Sequence, residues 1–294
     1  MRDYVILIDE DSDLPLTYVK NNDLTMMPMG YILDEKEFSG YDDPNGYTIS
    51  EFYGKLRNGA SPKTIAISPA YLKDTMERLV KEGKDVLYIA FSSGLSSTCN
   101  NAKLMAEEVM QEYPEAKVIV IDSLNASLGE GLFVNYAVTL KKEGRSILEN
   151  AAALEAEGDN FCSYFTVDDL HFLHKGGRVS KTTAVVGSVL GIKPILHVDE
   201  QGKLVAIGKV RGRKQSLDGL IKKMEEKFVP EKNKVVYISH GDCEDDAKYV
   251  ADQVRKKFGI KSFLINFIGT SIGSHSGPGT VALFFVGNGK AEKN

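Results

Sequence analysis

The segment Asp85-Val-Leu-Tyr-Ile-Ala-Phe91 is apolar from its second residue onward and runs straight into Ser92-Ser-Gly-Leu-Ser-Ser-Thr98. An apolar run without polar alternation has no solvated face, so it reads as a strand covered on both sides. Val5–Ile8, Thr25–Met29 and Lys117–Asp122 read the same way. Between them lie helix signals. Thr48-Ile-Ser-Glu51 is a capping box that opens a helix ending near Gly59, and Ser68-Pro69 supplies a capping hydroxyl followed by proline at the first helical position. Ser96 to Glu112 carries helical periodicity, a helix follows Asp122 through Lys142, and a second capping box at Ser146 to Glu149 starts another. Buried strands alternating with helices predict a mostly parallel, Rossmann-like α/β sheet.

After about residue 160 the pattern changes. Phe161–Val167 and Lys193–Val198 read as strands, and the second passes through Asp199-Glu-Gln-Gly202 into Lys203–Val210. That is a hairpin, so this half holds antiparallel pairs. Helix Gln215–Phe228, strand Val235–Ser239, helix Glu244–Phe258, strand Ser262–Phe267 and strand Val281–Val286 complete it. The 294 residues exceed one ordinary core, and two α/β domains are expected, 1–160 and 161–294, the second with a mixed sheet.

Composition narrows the function. With 43% hydrophobic and 26% charged residues the chain can build its cores without disulfides or metals. A net charge of −5 argues against nucleic acid as a partner, because phosphate backbones need a basic face. Cys99, Cys162 and Cys243 are far apart and show no metal-ligand spacing, which predicts reduced thiols in the cytoplasm. The opening MRDYVILIDEDSD has too short an apolar run for a secretory signal, and no segment approaches the ~20 apolar residues of a transmembrane helix.

Four segments carry chemistry. Phe91–Thr98 leaves the carboxyl end of a strand and enters a helix, the edge where α/β sheets bind ligands over free N–H groups. Its hydroxyls, Ser92, Ser93, Ser96 and Ser97, can donate to an oxyanion without adding charge. Thr64 supplies a hydroxyl near a chain reversal. Gly269 to Gly279 packs four glycines and a proline around His275, which predicts a loop bringing backbone close to a partner, with an imidazole able to donate to a carboxylate. His174-Lys-Gly-Gly-Arg178 suits an anion-facing turn, and Arg211 and Arg213 would extend it into a basic rim.

Other signals fail. There is no GxxxxGK[ST] and no GxGxxG after the first strand. His171 and His174 could share a helix face but have no third ligand. Asp9, Asp11 and Asp13 alternate as on a calcium loop, yet the glycine and distal glutamate are absent, so these acids read as structural. Neither a metal nor a cofactor is expected.

Taken in order, the segments resemble the DegV family, the fatty-acid-binding subunits of bacterial fatty acid kinase. The resemblance runs from Asp9 through Asp13-Leu-Pro15, Pro62-Lys-Thr64, Ser92–Thr98, Ile121-Asp-Ser123 and Ser127-Leu-Gly129. It continues through Leu170, Gly176-Gly-Arg-Val-Ser180, Lys193-Pro194 and His275-Ser-Gly-Pro-Gly279. It implies a long-chain fatty acid in a tunnel between two domains, its carboxylate held by Thr64, Ser93 and His275 with Ser96 beside them. It also implies a separate ATP-dependent kinase that makes the acyl phosphate, with Arg178 near that site. The chain departs from the family pattern at Ile8-Asp-Glu10-Asp11, where Thr-Asp-Ser-Thr is usual. It departs again at Ile65-Ala-Ile67 after Thr64, where Ser-Gln-Pro is common, and at Ser97 in place of Gly. These changes bear on the hydrogen bonding around the carboxylate and on the choice of ligand or kinase.

Two rivals remain on sequence grounds. A serine acyl hydrolase would use a serine of Ser92–Ser97 with His275 as base and Asp122 as orienting acid, although GxSxG is absent. A module for another small anion would use Arg178, Arg211 and Arg213.

Overall fold

The computed structural model describes residues 2–40, 42–179 and 191–292. The chain begins β1 (Tyr4–Asp9), α1 (Leu16–Asn21), β2 (Thr25–Met27), β3 (Tyr31–Leu33), β4 (Lys36–Phe38), α2 (Ile49–Arg57), β5 (Lys63–Thr64) and α3 (Pro69–Lys81). It continues β6 (Asp85–Ala90), α4 (Thr98–Glu112), β7 (Val118–Asp122), α5 (Leu128–Lys142) and α6 (Ile147–Glu157). The second half holds β8 (Phe161–Thr166), α7 (Leu170–Lys175), β9 (Ile192–Val198), β10 (Leu204–Arg211), α8 (Arg213–Lys227), β11 (Val235–His240), α9 (Glu244–Phe258), β12 (Ser262–Phe267), α10 (Thr270–Ser276) and β13 (Val281–Val286).

The main strands form two sheets. The first is fully parallel in the order β2-β1-β6-β7, and every residue of β1 and β6 is buried, as their unbroken apolar runs require. The chain steps from β1 to β2 on one side, then to β6 on the other, so the order reverses between β1 and β6. The chain segments leaving their carboxyl ends therefore diverge around a crevice. The second sheet runs β10-β9-β8-β13-β11-β12, antiparallel except for the β11–β12 pair. Both capping boxes form: Thr48 accepts from Glu51 N and Ser146 from Glu149 N, while each glutamate accepts from its partner's N–H. The fold is the expected two-domain α/β arrangement with one parallel and one mixed sheet.

Three features differ from the sequence reading. A third sheet, β4-β3-β5, is antiparallel and places Thr64 in its two-residue strand β5 rather than in a loop. Its strands are too short to show periodicity. Second, α4 starts at Thr98, because the N–H groups of Leu95 and Ser96 turn back onto Ser92 O. Third, the glycine-rich stretch around His275 is not a loop but the seven-residue α10. Phe52 and Tyr53 of α2 press on Gly273, where an added Cβ would lie 2.6 Å from Tyr53 Oη. The close approach predicted from the glycines is real, and at Gly273 it is to protein side chains. Gly277, at φ +75, lets the chain turn out of α10.

One core joins the sheets. Leu132, Phe133, Val134 and Ala137 of α5 pack with Ile6, Ile8 and Ile89 of the parallel sheet and with Phe161, Phe165, Leu196 and Phe284 of the mixed one. Helices α3 and α4 cover the far face of the first sheet, and α8 and α9 that of the second. Phe133 stacks edge-on against Phe161 at 4.8 Å. Truncating such a buried ring costs about 3–5 kcal/mol, here at the joint itself. The chain passes from α6 to β8 at residues 157–161, and we propose residue 160 as the boundary between two units that share a wall. No helix among the described residues is long and apolar enough to cross a membrane.

Candidate functional site

The crevice at the carboxyl ends of β1 and β6 opens into a cavity of about 590 Å³ between the two sheets. That volume lies within the roughly 300–1,000 Å³ of sites that enclose small ligands. Much of the wall is apolar: Met29, Ile65, Phe91 and Leu95 from the first half, Phe165, Val198, Leu204, Ile272 and Phe284 from the second. Polar groups gather on part of the surface. Thr64, Ser93, Ser96, Arg178 and His275 all line it, so the structure brings together every proposed carboxylate-holding residue and one of the two proposed anion-site arginines.

Local chemistry positions each of them. Asp9, at the end of β1, accepts from Tyr88 Oη and from Phe91 N, both at 2.9 Å, which fixes the exit of β6. Asp122 Oδ1 accepts from Ser93 N at 3.2 Å and Leu124 N at 3.0 Å, while Ser92 Oγ donates to Gly202 O at 2.8 Å across to the β9–β10 turn. Ser92 and Asp122 are thereby structural. Ser96 Oγ accepts from Thr98 N at 3.3 Å, satisfying the first N–H of α4, while the residue lines the cavity. Ser93 Oγ makes no hydrogen bond among the described residues. It is available to a ligand. Ser97 lines the cavity rim and is exposed.

Thr64 Oγ1 lies 2.9 Å from His275 Nε2, joining residues 211 positions apart. Two buried contacts from the first half hold α10 in place for this. Asp13 Oδ1 accepts from Gly269 N at 2.8 Å at the start of the helix, and Tyr53 Oη donates to Ile268 O at 2.9 Å. Burial and then the Arg178 charge push the His275 imidazole down to about 4, so it is neutral at physiological pH. Its Nδ1 has no hydrogen-bond partner among the described residues and rests against Gly176. A serine hydrolase needs an acid orienting that nitrogen and a serine on the other. Here one nitrogen is unpaired and the other meets Thr64.

Arg178 donates to Gly176 O at 2.5 Å and Leu95 O at 3.1 Å, linking the α7 turn to the serine loop. The basic rim does not form. Arg213 is held by Asp246 at 2.8 Å, and Arg211 is exposed at the end of β10 and is not among the lining residues. Ser180 and residues 181–190, the end of the Gly176–Ser180 motif and the small-residue segment after it, lie outside the described residues.

The sequence reading missed Asp11. Its spacing groups it with Asp9 and Asp13 as structural; those two accept from backbone N–H groups, whereas Asp11 lines the cavity. The available signal was position: two residues beyond the carboxyl end of β1, on the ligand-binding edge. Among the described residues no group of three or more acids, histidines or cysteines is arranged to hold a metal. Ser127, Ser163, Ser271 and Ser276 also line the cavity and were not foreseen.

Comparison with known proteins decides the family. The DegV family model, described as an uncharacterised protein family, matches residues 3–288. The chain belongs to the DegV family. A DegV domain-containing protein of Clostridium perfringens is 40% identical over 290 residues, covering 99% of each chain. Among solved structures, a fatty-acid-binding DegV family protein of Thermus thermophilus is similar at TM-score 0.86 and 30% identity, over 98% of this chain and 100% of that one. A DegV lipid-binding protein of Thermotoga maritima matches at TM-score 0.84 and 29% identity, over 98% and 100%.

Proposed function

We propose that this DegV protein binds a long-chain fatty acid in the cavity between its sheets and presents the carboxylate to a separate ATP-dependent kinase, which forms the acyl phosphate. The observation that carries the reading is an apolar cavity of about 590 Å³ meeting the Thr64–His275 pair, with Ser93 and Ser96 on the same wall. Solved DegV relatives that bind fatty acid or lipid support it. In this reading the protein is not itself an enzyme, acts in the cytoplasm and serves phospholipid metabolism; Arg178 faces the bound acid, and the exposed Arg211, outside the cavity, is left to the partner.

The energetics suit a carrier. Each buried methylene is worth about 0.8 kcal/mol, so about fifteen contribute on the order of 12 kcal/mol before ordering costs. Hydrogen bonds to the carboxylate add about 1.5–3 kcal/mol each, largely offset by its desolvation. The tail therefore sets affinity and the head sets register. A neutral His275, Thr64 and Ser93 hold an anion without burying a compensating cation among them.

Organic extraction of the purified protein, with mass spectrometry of the extract, tests the first half of the reading. A fatty acid at near one per chain is expected, and its absence together with failure to bind added acid overturns it. ATP-dependent acyl phosphate formation from the complex, with a fatty acid kinase supplied, tests the second half.

A further inference from the structure

Asp11 faces the cavity from the end of β1 and is only 3% exposed. Its carboxyl is near enough to Ser271 for that hydroxyl to favour its ionised form, and Ser271 lines the same cavity one turn of α10 before His275. Side chains four apart on a helix have Cβ atoms about 5–6 Å from one another. Asp11 therefore stands one residue spacing from the group expected to hold the ligand's head. Arg178 lines the same cavity and senses the Asp11 charge. Beyond Ser271, Ser276 is 95% buried and lines the cavity, and its Oγ has no hydrogen-bond partner among the described residues, so this wall offers polar groups to an occupant.

An acid beside a carboxylate site poses a problem of charge. Two carboxylates in one poorly hydrated site cannot both stay ionised; one takes up a proton and the pair shares it. We infer that Asp11 is a further binding residue of this site, meeting the ligand's carboxylate as a carboxylic acid and donating a hydrogen bond to it, so that binding draws in one proton. The inference rests on the fatty-acid reading. The bond is of the O–H···O⁻ kind, among the shorter and stronger hydrogen bonds in proteins.

The surroundings favour the acid form even before a ligand arrives. Burial, then the charge of Asp9, with smaller contributions from Asp13 and Glu10, holds the Asp11 carboxyl well above the ordinary carboxylate range, against the lowering influence of the Ser271 hydroxyl. Glu130 of α5 faces the same group and is itself raised by burial and by Asp9, Asp11 and Asp13. The cation that faces it is Arg178, and His275 on α10 is neutral. A bound carboxylate adds one more negative charge and raises Asp11 further. Affinity is then constant below the Asp11 pKa of the empty protein. Above it affinity falls by up to tenfold per pH unit, until the pKa of the complex is reached.

The test is binding of a fluorescent polyene fatty acid between about pH 6 and about pH 9, with calorimetry in two buffers of different ionisation enthalpy to count protons. The wild type should lose up to about tenfold in affinity per pH unit within the window and take up close to one proton. Asp11→Asn, which keeps a donor but cannot titrate, and Asp11→Thr should bind with a flat profile and no proton uptake. A wild type that binds with neither slope nor uptake overturns the inference, as does an unchanged slope in Asp11→Asn, which would assign the proton to His275 or Glu130. Tighter binding of a fatty alcohol than of the acid, with Asp11 ionised against Arg178, overturns it too. A wild type that binds no fatty acid at any pH fails the functional reading itself, and is recognisable as such. The proton count on the wild type stands even where a variant does not fold.

Discussion

Gly176 lies directly against the imidazole of His275, so closely that a Cβ on it would collide with Nδ1. Its φ of −74° is open to any residue, so a substitution there acts through space and not through backbone strain. Gly176→Ala should therefore fold yet push the ring off Thr64. Losing one hydrogen bond to a carboxylate weakens fatty-acid binding by about tenfold or more. A fluorescence titration beside a melting curve checks it; equal affinity and equal Tm would show that the ring has somewhere else to go.

His275→Ala should weaken lipid binding by about tenfold, as displacing the ring does, and impair acyl phosphate formation far more, because His275 meets the head group while the apolar wall holds the tail. Native mass spectrometry of the variant, run beside a coupled phosphorylation assay, separates the two. Loss of all lipid with full phosphorylation of whatever complex remains would contradict this division.

The ring of His275 should not titrate near neutrality. Its pKa is lowered to about 4 by burial and by Arg178, against a reference of 6.5, so the folded state binds fewer protons than the unfolded one between those values. The stability it confers is present above about pH 6.5 and is lost as pH falls toward about 4. Its NMR ring signals should stay in the neutral form down to about pH 5. A midpoint near 6.5 would place the ring in water.

Asp13 gives the opposite slope. Burial raises its carboxyl to about 7 despite hydrogen bonds from Ser127 and Gly269 N, so the folded protein binds more protons than the unfolded one between the ordinary value of 3.8 and about 7. Stability from this group falls as pH rises through that interval. In Asp13→Asn the slope should be shallower than in the wild type across about pH 5 to 7.5, as read from denaturant midpoints at each pH. Parallel profiles would mean Asp13 stays ionised.

Much of this was legible in the chain. Buried strands announced themselves by unbroken apolar runs such as Val86–Ala90, and both capping boxes formed because Thr48, Ser146 and their glutamates satisfy local N–H groups whatever the tertiary context. Thr64, Ser93 and His275 were found through a resemblance whose order outweighs any single motif. What escaped depends on long-range contacts. The helix that carries His275 contains a mid-helix glycine, so its propensity is poor; it forms where Asp13 meets its first N–H and Tyr53 packs on Gly273. The β3–β5 sheet has too few residues to show a period. Asp11 escaped for a subtler reason: it shares a spacing with Asp9 and Asp13, and only the fold tells the cavity-facing acid from the two that bind backbone.

Because Thr64 and His275 stand 211 positions apart, the pair cannot exist on a nascent chain until its later member has left the ribosome. Every earlier stage of synthesis carries the serine loop and β5 without the helix that completes the pair. A partly made chain also lacks the second-half wall, from Phe165 to Phe284, so it can neither enclose a tail nor fix a head group in register.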